Sequence, residues 1–386
     1  ALRGIREDTG MIRTWLRVAG TFVFAALLAA PSGAGAATVK IGVAGPLTGD
    51  QAAFGEMLKN GALLAVDEWN NKGGVTVGGK KMKVEILWGD DRHDPREGVS
   101  IAHKFINSGV IGVVGHFNSS VSIPASTVYA EAGVVMITPA STNPKLTEQG
   151  FKNVFRVCGR DDQQGLVAAD FIVDKLKKKR VVILHDKTTY GQGLANETKR
   201  FLEKRGVKPV FYSGIVQGDK DYTPVLTAAK QKNPEVVYFG GIHPEAILLV
   251  KQMRERLGMD AIFMSGDGVF VDEFYKIAGK AAEGSYLSFT PDQTKIPEAK
   301  RVIKRHRDRF GKEVGAYTIY SYVAANLILS SIEEIGSRDG SKIAAHLRSR
   351  AWKTALGKIQ FDSKGDVLES PYVFWKVKGG KFVQVD

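Results

Sequence analysis

Short runs of apolar and β-branched residues alternate along this chain with longer segments whose apolar residues recur at helical spacing. A short, continuous apolar run is typical of a strand buried on both faces, and helical spacing predicts a helix that packs against such a sheet. The predicted strands are residues 39–44, 84–88, 111–114, 134–137, 153–158, 181–185, 210–212 and 236–239. The predicted helices are residues 55–71, 97–108, 122–133, 165–176, 191–205 and 223–231.

The order of these elements predicts the fold class. Alternating strands and helices are the signature of parallel sheets with crossover helices, and the alternation restarts after the strand at 153–158. A chain of 386 residues is also too long for a single compact core. We therefore predict an α/β protein with two doubly wound, Rossmann-like lobes.

The N-terminal segment has the order of a secretory signal peptide. Arg13 and Arg17 precede an apolar stretch at 18–30, and the small residues of 31–37 follow it. No cysteine stands directly after the apolar stretch, so a lipoprotein anchor is excluded. The alternative to a cleaved signal peptide is a membrane anchor that is retained. We predict that residues 1–37 are an upstream extension and a cleavable signal peptide, which makes the mature protein periplasmic.

The charge pattern and the cysteine content limit which partners the protein could bind and which covalent bonds it could form. The formal net charge of +13 would suit nucleic acid, but Lys and Arg are interleaved with Asp and Glu along the chain, which is typical of a solvated surface. The longest basic run, at 175–180, ends a predicted helix, where cations oppose the macrodipole. Cys158 is the only cysteine, so we expect a buried, inert thiol and no intramolecular disulfide. No nucleic-acid partner is predicted.

Motifs of enzymes and metal sites are missing from the sequence. It contains no G-x-S-x-G, H-E-x-x-H or C-x-x-C. The cluster of carboxylates beside a histidine at 90–95 could hold a metal in principle, but adjacent side chains of an extended loop diverge, and Asp-Pro is ordinary turn chemistry. His243 has no visible nucleophile as a partner, so we expect it to line or rim a cleft. We predict no catalytic residue, no metal and no cofactor.

Glycines and small hydroxyl residues follow three of the predicted strands, at 45–49, 115–120 and 138–144. Open α/β sheets hold ligands at the carboxyl ends of their strands, beside helix N-termini. Hydroxyls and backbone N–H groups gathered there suit a carboxylate. Serine and threonine at such junctions are also common helix N-caps, which is the alternative interpretation of each one.

Several short motifs, taken together, carry a family resemblance. They are Gly73-Gly74, Asp90-Asp91 with Asp94-Pro95, Gly115-His116 with Ser119-Ser120, Thr138-Pro139-Ala140 with Thr142-Asn143-Pro144, His185-Asp186-Lys187 with Tyr190-Gly191-Gln192-Gly193, and Tyr238-Phe239-Gly240-Gly241 with Pro244-Glu245. From about Val39 to the C-terminus the chain resembles the leucine/isoleucine/valine-binding proteins of branched-chain amino-acid ABC importers, which are type I periplasmic binding proteins.

The resemblance implies a ligand site between the lobes that holds an amino-acid head group. In such proteins groups at the positions of Ser119, Ala140, Ser141 and Thr142 hold the ligand carboxylate and ammonium. An acid from the second lobe meets the ammonium, and Asp267 stands at that position. A carboxylate facing an ammonium in a closed cleft forms a charge-assisted hydrogen bond.

The resemblance also implies the surroundings of the ligand side chain. Tyr190 matches a residue that covers the ligand from the second lobe, and Phe54 matches an aromatic that lines the side-chain pocket. Two positions depart from the pattern. Ile242 stands where an aromatic is usual, and His93 and Asn118 replace the two cysteines of a disulfide. The head group is therefore better supported than any particular side chain.

The same resemblance implies a chain that crosses between lobes three times and closes on its ligand by a hinge motion. The expected first lobe is 38–159 plus 292–369, and the expected second lobe is 160–291 plus 370–386. The expected partners are a small amino-acid ligand and the membrane permease subunits of an ABC importer, and we expect a monomer. The alternatives are a binding protein for an aromatic acid, a keto acid or a short amide, and a ligand-sensing receptor module.

Overall fold

The computed structural model of the protein describes residues 38–385. The predicted upstream extension and signal peptide, residues 1–37, lie outside the described residues. Within the described range, no helix combines the length and the apolar character needed to span a bilayer.

Every predicted strand has a counterpart, and further strands follow. The strands are β1 (Val39–Gly45), β2 (Val75–Val77), β3 (Lys80–Met82), β4 (Val84–Asp90), β5 (Gly112–Val114), β6 (Val135–Thr138), β7 (Val154–Arg156), β8 (Val181–His185), β9 (Phe211–Gly214), β10 (Val236–Gly240), β11 (Ile262–Ser265), β12 (Tyr286–Phe289), β13 (Trp352–Thr354), β14 (Gly357–Ile359), β15 (Val373–Val377) and β16 (Phe382–Val385). β1, β5, β6, β8 and β10 are buried along nearly their whole length, as expected of strands covered on both faces.

The predicted helices are also present, with shifted ends. The helices are α1 (Ala52–Asn71), α2 (Pro95–Asn107), α3 (Ser119–Glu131), α4 (Lys145–Glu148), α5 (Asp161–Asp170), α6 (Thr189–Lys204), α7 (Thr223–Lys230), α8 (His243–Lys251), α9 (Asp272–Ala278), α10 (Lys300–Phe310), α11 (Thr318–Ile335) and α12 (Gly340–Arg348). Asp94 begins α2, since its carboxylate accepts hydrogen bonds from the backbone of Arg96 and Glu97.

The first sheet has the strand order β4-β1-β5-β6-β7, and its neighbouring strands are all parallel. The chain leaves β1 for β4 on one side and later crosses to β5 on the other side. Such a reversal opens a crevice at the carboxyl ends of the two strands on either side of it. The loops after β1, β5 and β6 therefore meet at one edge.

The second sheet has the order β16-β15-β12-β11-β10-β8-β9. Its five strands from β9 to β12 are parallel, and β15 and β16 add an antiparallel edge. The direction of winding reverses between β8 and β10, which opens a second crevice. The loops after β8, β10 and β11 meet there.

The segment after β12 returns to the first sheet. In α11, Ser321 donates a hydrogen bond to the Leu58 carbonyl of α1 at 2.6 Å. The two helices meet at Gly61, where an added Cβ would lie 2.1 Å from the Thr318 carbonyl oxygen, so only glycine fits. The chain then goes back to the second sheet with β15 and β16, which makes three passages between the sheets. The predicted fold class of two doubly wound units is confirmed.

Candidate functional site

The crevices at the edges of the two sheets open into one common cavity. The first sheet contributes Phe117, Asn118, Ser119, Ser120 and Ala140, and the second contributes Thr188, Tyr190, Ile242, Asp267 and Gly268. The space open to the centre of a water molecule is only about 20 Å³. A cavity of 10–15 Å³ on this measure holds about one water, so the space between the two sheets is narrow.

Ser119 lies on the first-sheet side of this cavity. It is the first residue of α3, because the extended backbone of Asn118 stops the helix there. The helix thus begins three residues before the predicted start at 122. The first N–H groups of a helix have no partner within it and carry partial positive charge, so this end of α3 favours an anion.

Asp267 lies opposite, on the second-sheet side, and is buried. Its carboxylate accepts hydrogen bonds from the hydroxyls of Tyr190 at 2.9 Å and Tyr317 at 2.5 Å. The Tyr190 hydroxyl in turn accepts from the Gly268 backbone at 3.0 Å. Burial raises the pKa of Asp267, and the two tyrosines partly offset that rise. The sequence did not indicate Tyr317, which belongs to a segment 50 residues farther along the chain.

The loop after β6 contains the other predicted head-group residues. Ala140 lines the cavity, but its N–H and that of Ser141 donate to the Thr138 hydroxyl at 3.2 and 3.0 Å. The Ser141 hydroxyl is held by Ser122 at 2.6 Å and by the Phe117 carbonyl at 2.8 Å. The side chain of Ser141 therefore stabilises the loop and does not face the cavity.

Thr142 is buried behind the cavity, beside Asp161. Its hydroxyl is near enough to lower the pKa of Asp161, yet neither group meets hydrogen-bond geometry with a partner among the described residues. The Asp161 backbone donates to the Thr142 carbonyl at 3.0 Å. Burial raises the pKa of Asp161 well above its ordinary value.

Aromatic rings line the part of the cavity where the resemblance places the side chain of the ligand. Phe54 is fully buried and stacks on Phe117 with ring centroids 4.3 Å apart, so it supports the wall from behind. Phe117 contacts the cavity directly and meets Tyr317 edge to face at 5.3 Å. Ile242 completes the wall from the second sheet. The sequence pointed to Phe54 and Ile242 but not to Phe117.

Arg156 holds the loop of residues 138–144 from below. It is fully buried at the end of β7 and donates to the carbonyls of Ser141 at 2.8 Å and Asn143 at 3.1 Å. It also donates to Asp366 at 2.5 Å and to the Thr147 hydroxyl at 2.8 Å. The carbonyls beside Ala140 and Thr142 are thereby kept in one orientation.

The acidic cluster at 90–95 is a turn, as predicted. Asp90 accepts from two backbone N–H groups of the loop after β1, and Asp94 caps α2. Asp91 pairs with buried His116 at 2.7 Å. Across residues 38–385, no three His, Cys, Asp or Glu side chains are grouped so that they could hold a metal ion.

His243 and Cys158 are buried near the cleft. His243 begins α8 and meets Phe54 edge to face at 5.3 Å, and burial lowers the pKa of His243 to about 4, so its imidazole is neutral. Burial also raises the pKa of the Cys158 thiol, which agrees with the predicted inert thiol.

Asp186, at the end of β8, makes stability depend on pH. Burial raises the pKa of Asp186 to about 7, against 3.8 ordinarily, although Thr188 donates to it. The folded state then binds more protons than the unfolded chain between these values. The contribution of Asp186 to the free energy of unfolding is therefore complete below about pH 4 and is lost as pH rises toward 7, at up to about 1.4 kcal/mol per pH unit.

We expect urea titrations of the wild-type protein and Asp186→Asn between pH 4 and 7 to reveal the contribution of Asp186 to the free energy of unfolding. The difference between their free energies of unfolding should decline steadily with rising pH. The opposite contribution of neutral His243 cancels in that difference. Parallel curves for the two proteins would contradict the prediction.

Comparison with known proteins agrees with this arrangement. A family model described as periplasmic binding protein matches residues 38–381. A relative from Brucella abortus (strain 2308), named Leu/Ile/Val-binding protein homolog 2, is 45% identical over 355 residues, which cover 92% of this chain and 94% of the relative.

Solved structures agree as well. The crystal structure of the leucine-binding protein LivK from Thermotoga maritima superposes with a TM-score of 0.84 at 33% identity, covering 90% of this chain and 98% of that one. The substrate-binding protein LivJ from Streptococcus pneumoniae, in complex with isoleucine, gives a TM-score of 0.80 at 25% identity, covering 90% of this chain and all of that one. The resemblance seen in the sequence is confirmed, and the chain belongs to the periplasmic binding protein family.

Proposed function

We propose that this protein is the substrate-binding component of an ABC importer for amino acids, and that branched-chain amino acids are among its ligands. One observation carries the proposal. The positive N-terminus of α3 and the carboxylate of Asp267 face each other across one cavity. An α-amino acid has a carboxylate and an ammonium on the same carbon, which suits such a pair.

The tyrosine contacts of Asp267 support the role of this residue. Two hydroxyl donors already stabilise the ionised carboxylate, and an ammonium in the cleft would stabilise it further. An aromatic acid or keto acid would instead bring a second anion beside a buried carboxylate without a cation, which is costly. An amino acid is therefore the better ligand class. The Brucella relative is named for leucine, isoleucine and valine, and the Thermotoga protein is named for leucine, so these are the first amino acids to test as ligands.

The proposed mechanism is capture by closure. The lobes would be 38–159 plus 292–369 and 160–291 plus 370–386, with the hinge at the three passages between the sheets. The small cavity corresponds to a closed arrangement, so ligand enters when the lobes part. Closure is stabilised only by contacts that the ligand makes with both lobes at once. Ser119 and Ala140 would contact the ligand from one lobe, and Tyr190 and Asp267 from the other.

The remaining assignments follow from this role. The matched family is one of binding proteins and not of enzymes, and we propose that the protein has no catalytic activity. It would act in the periplasm as a monomer after removal of a signal peptide, and would deliver its ligand to the permease subunits of the importer.

A ligand screen tests the proposal. Protein that has been unfolded, dialysed free of ligand and refolded is heated with leucine, isoleucine, valine, 4-methyl-2-oxopentanoate, leucinamide or benzoate. A ligand present at 100 times its Kd adds about 2.7 kcal/mol to the free energy of unfolding. We expect the three amino acids to raise the Tm by several degrees and the other compounds to leave it unchanged. A Tm shift with the keto acid and none with any amino acid would overturn the proposal.

A further inference from the structure

Charges that are interleaved along the sequence are separated in space by the second sheet. Its strands β8, β9, β10 and β11 are parallel, so the segments that precede them lie at one edge of the sheet, opposite the cleft. We call this edge the amino-end surface, and define it as the seven residues before each strand, at 174–180, 204–210, 229–235 and 255–261. It contains 11 Lys and Arg residues and four Asp and Glu residues, which gives a formal charge of +7.

The same count elsewhere in the fold shows that this charge is local. The seven residues after each of these strands border the cleft and contain two cations and six acids, a formal charge of −4. The seven residues before each of β4, β5, β6 and β7 in the first sheet contain four cations and two acids, a formal charge of +2. The second sheet therefore has one strongly positive end, which faces away from the cleft.

Most cations of the amino-end surface have no acid to neutralise them. Four of the 11 pair with Glu235, Asp221 or the acids of residues 170–174. The other seven are all lysines, all are exposed, and none has an ion-pair partner within residues 38–385. They are Lys175, Lys177, Lys179, Lys204, Lys208, Lys230 and Lys232.

Hydrogen bonds join the four segments into one continuous surface. The Glu235 carboxylate accepts from the Arg180 backbone at 3.1 Å, and the Lys230 ammonium donates to the Leu257 carbonyl at 2.6 Å. The Val210 N–H donates to the first carbonyl of β8 at 2.9 Å. The Val210 side chain is 36% exposed, so the surface also offers an apolar contact among its lysines.

The kind of charge points to the kind of partner. A lysine ammonium is a point charge on a flexible stem, whereas the rigid fork of arginine suits carboxylates held in fixed positions on a folded protein. Mobile headgroups at a lipid surface need no fixed positions, and clusters of four to eight cations are typical of segments that bind anionic lipid.

We propose that the amino-end surface of the second sheet binds a membrane of anionic phospholipid, with the cleft turned away from the lipid. The inference goes beyond the proposed function and does not depend on which ligand the cleft captures. A protein held in this way keeps its cleft open to the surrounding solution, because the negative end of the sheet is repelled by the same lipids.

Sedimentation with vesicles tests the proposal. The protein is mixed with vesicles of phosphatidylcholine alone, or with about one third phosphatidylglycerol, in about 0.1 M NaCl. We expect it to sediment only with the vesicles that contain phosphatidylglycerol, and to be released in about 1 M NaCl, where the screening length falls from about 10 to about 3 Å. No sedimentation with the anionic vesicles, or equal sedimentation with both kinds, would overturn the proposal.

Two variants of equal net charge assign the binding to this surface. The test variant combines Lys177→Gln, Lys179→Gln, Lys208→Gln and Lys232→Gln. The control variant combines Lys80→Gln, Lys300→Gln, Lys342→Gln and Lys358→Gln, which are exposed lysines outside the second sheet. All proteins in the comparison carry the same N-terminal residues, so residues 1–37 contribute equally.

The expected losses differ strongly between these variants. A lysine close to an anionic lipid surface strengthens binding roughly 5-fold, so the test variant should bind the anionic vesicles at least about 50-fold more weakly than the wild-type protein. The control variant should lose at most about 5-fold, because salt screens charges that do not lie at the membrane. Equal losses in the two variants would mean that net charge alone drives binding, and would overturn the role of the amino-end surface.

Leucine binding tests the orientation. None of the substituted lysines lines the cavity, so both variants should bind leucine as the wild-type protein does. The wild-type protein should bind leucine equally well with and without anionic vesicles, and a loss of affinity on the vesicles would contradict a cleft turned away from the lipid. Circular dichroism checks the fold of both variants whether or not leucine binds, so the vesicle result stands even if the proposed function fails.

Discussion

Replacing Asp267 with asparagine should weaken leucine binding about 100-fold, which corresponds to about 2.7 kcal/mol. The asparagine amide keeps the shape of the side chain but has no charge to oppose the ligand ammonium, and removing one partner of a buried charge pair is costly. Titration calorimetry on ligand-free protein at neutral pH measures the change. The ligand-free variant should be no less stable than the wild-type protein, because burial already raises the pKa of Asp267 and disfavours its charge.

Two controls test whether a loss of affinity comes from the missing charge opposite the ligand ammonium. Asp272→Asn changes an exposed carboxylate of α9 that pairs with Lys276, and should leave leucine affinity unaltered. A ligand lacking the amine, such as the corresponding keto acid, should lose much less affinity from the Asp267 substitution. If Asp267→Asn binds leucine as the wild-type protein does, the ammonium contacts another group.

Replacing Arg156 with methionine should lower the free energy of unfolding by about 3–5 kcal/mol. The guanidinium is fully buried, and its loss removes a charged donor from two backbone carbonyls and from the Asp366 carboxylate. Urea denaturation followed by circular dichroism measures the change. Leucine affinity should also fall, since the loop containing Ala140 loses its support.

Arg256→Met is the comparison for this substitution. Arg256 is exposed and faces Asp221 at 3.4 Å, so its replacement should change stability by less than about 1 kcal/mol. Arg160 at 2.6 Å and the Thr147 hydroxyl at 2.9 Å remain as donors to Asp366 in both proteins. A loss below 1 kcal/mol for Arg156→Met as well would mean that the loop is held by its other contacts.

Local patterns predict eight of the sixteen strands found within residues 38–385, each with small shifts at most, and predict helix boundaries less well. The run Val181–His185 is apolar throughout its first four residues and matches its strand without error. α3 begins three residues earlier than its apolar spacing suggests, because its first turn consists of serines and a valine and resembles a loop. α11 is absent from the predicted helices, and 13 of its 18 residues are buried, so apolar residues occupy most of its circumference.

Long-range pairing limits what the sequence reveals about the site. Ser119 and Asp267 are predicted from local motifs, since each follows a strand, and both line the cavity. The contact of Tyr317 with Asp267 is recognisable only after folding, because the two residues are 50 positions apart. Ser141 lies in the loop that the sequence indicated, but its hydroxyl bonds to Ser122 and to the Phe117 carbonyl, and no local pattern indicates these contacts.

The last strands of the chain complete a sheet that begins at Val181. β15 pairs with β12, and β16 pairs with β15, so residues 373–385 form the final edge of the second sheet. Without residues 373–385, β12 would be an unprotected edge strand, and such edges invite pairing with other chains. The protection of β12 therefore depends on a segment that joins the second sheet only after the chain has passed along the first sheet a second time.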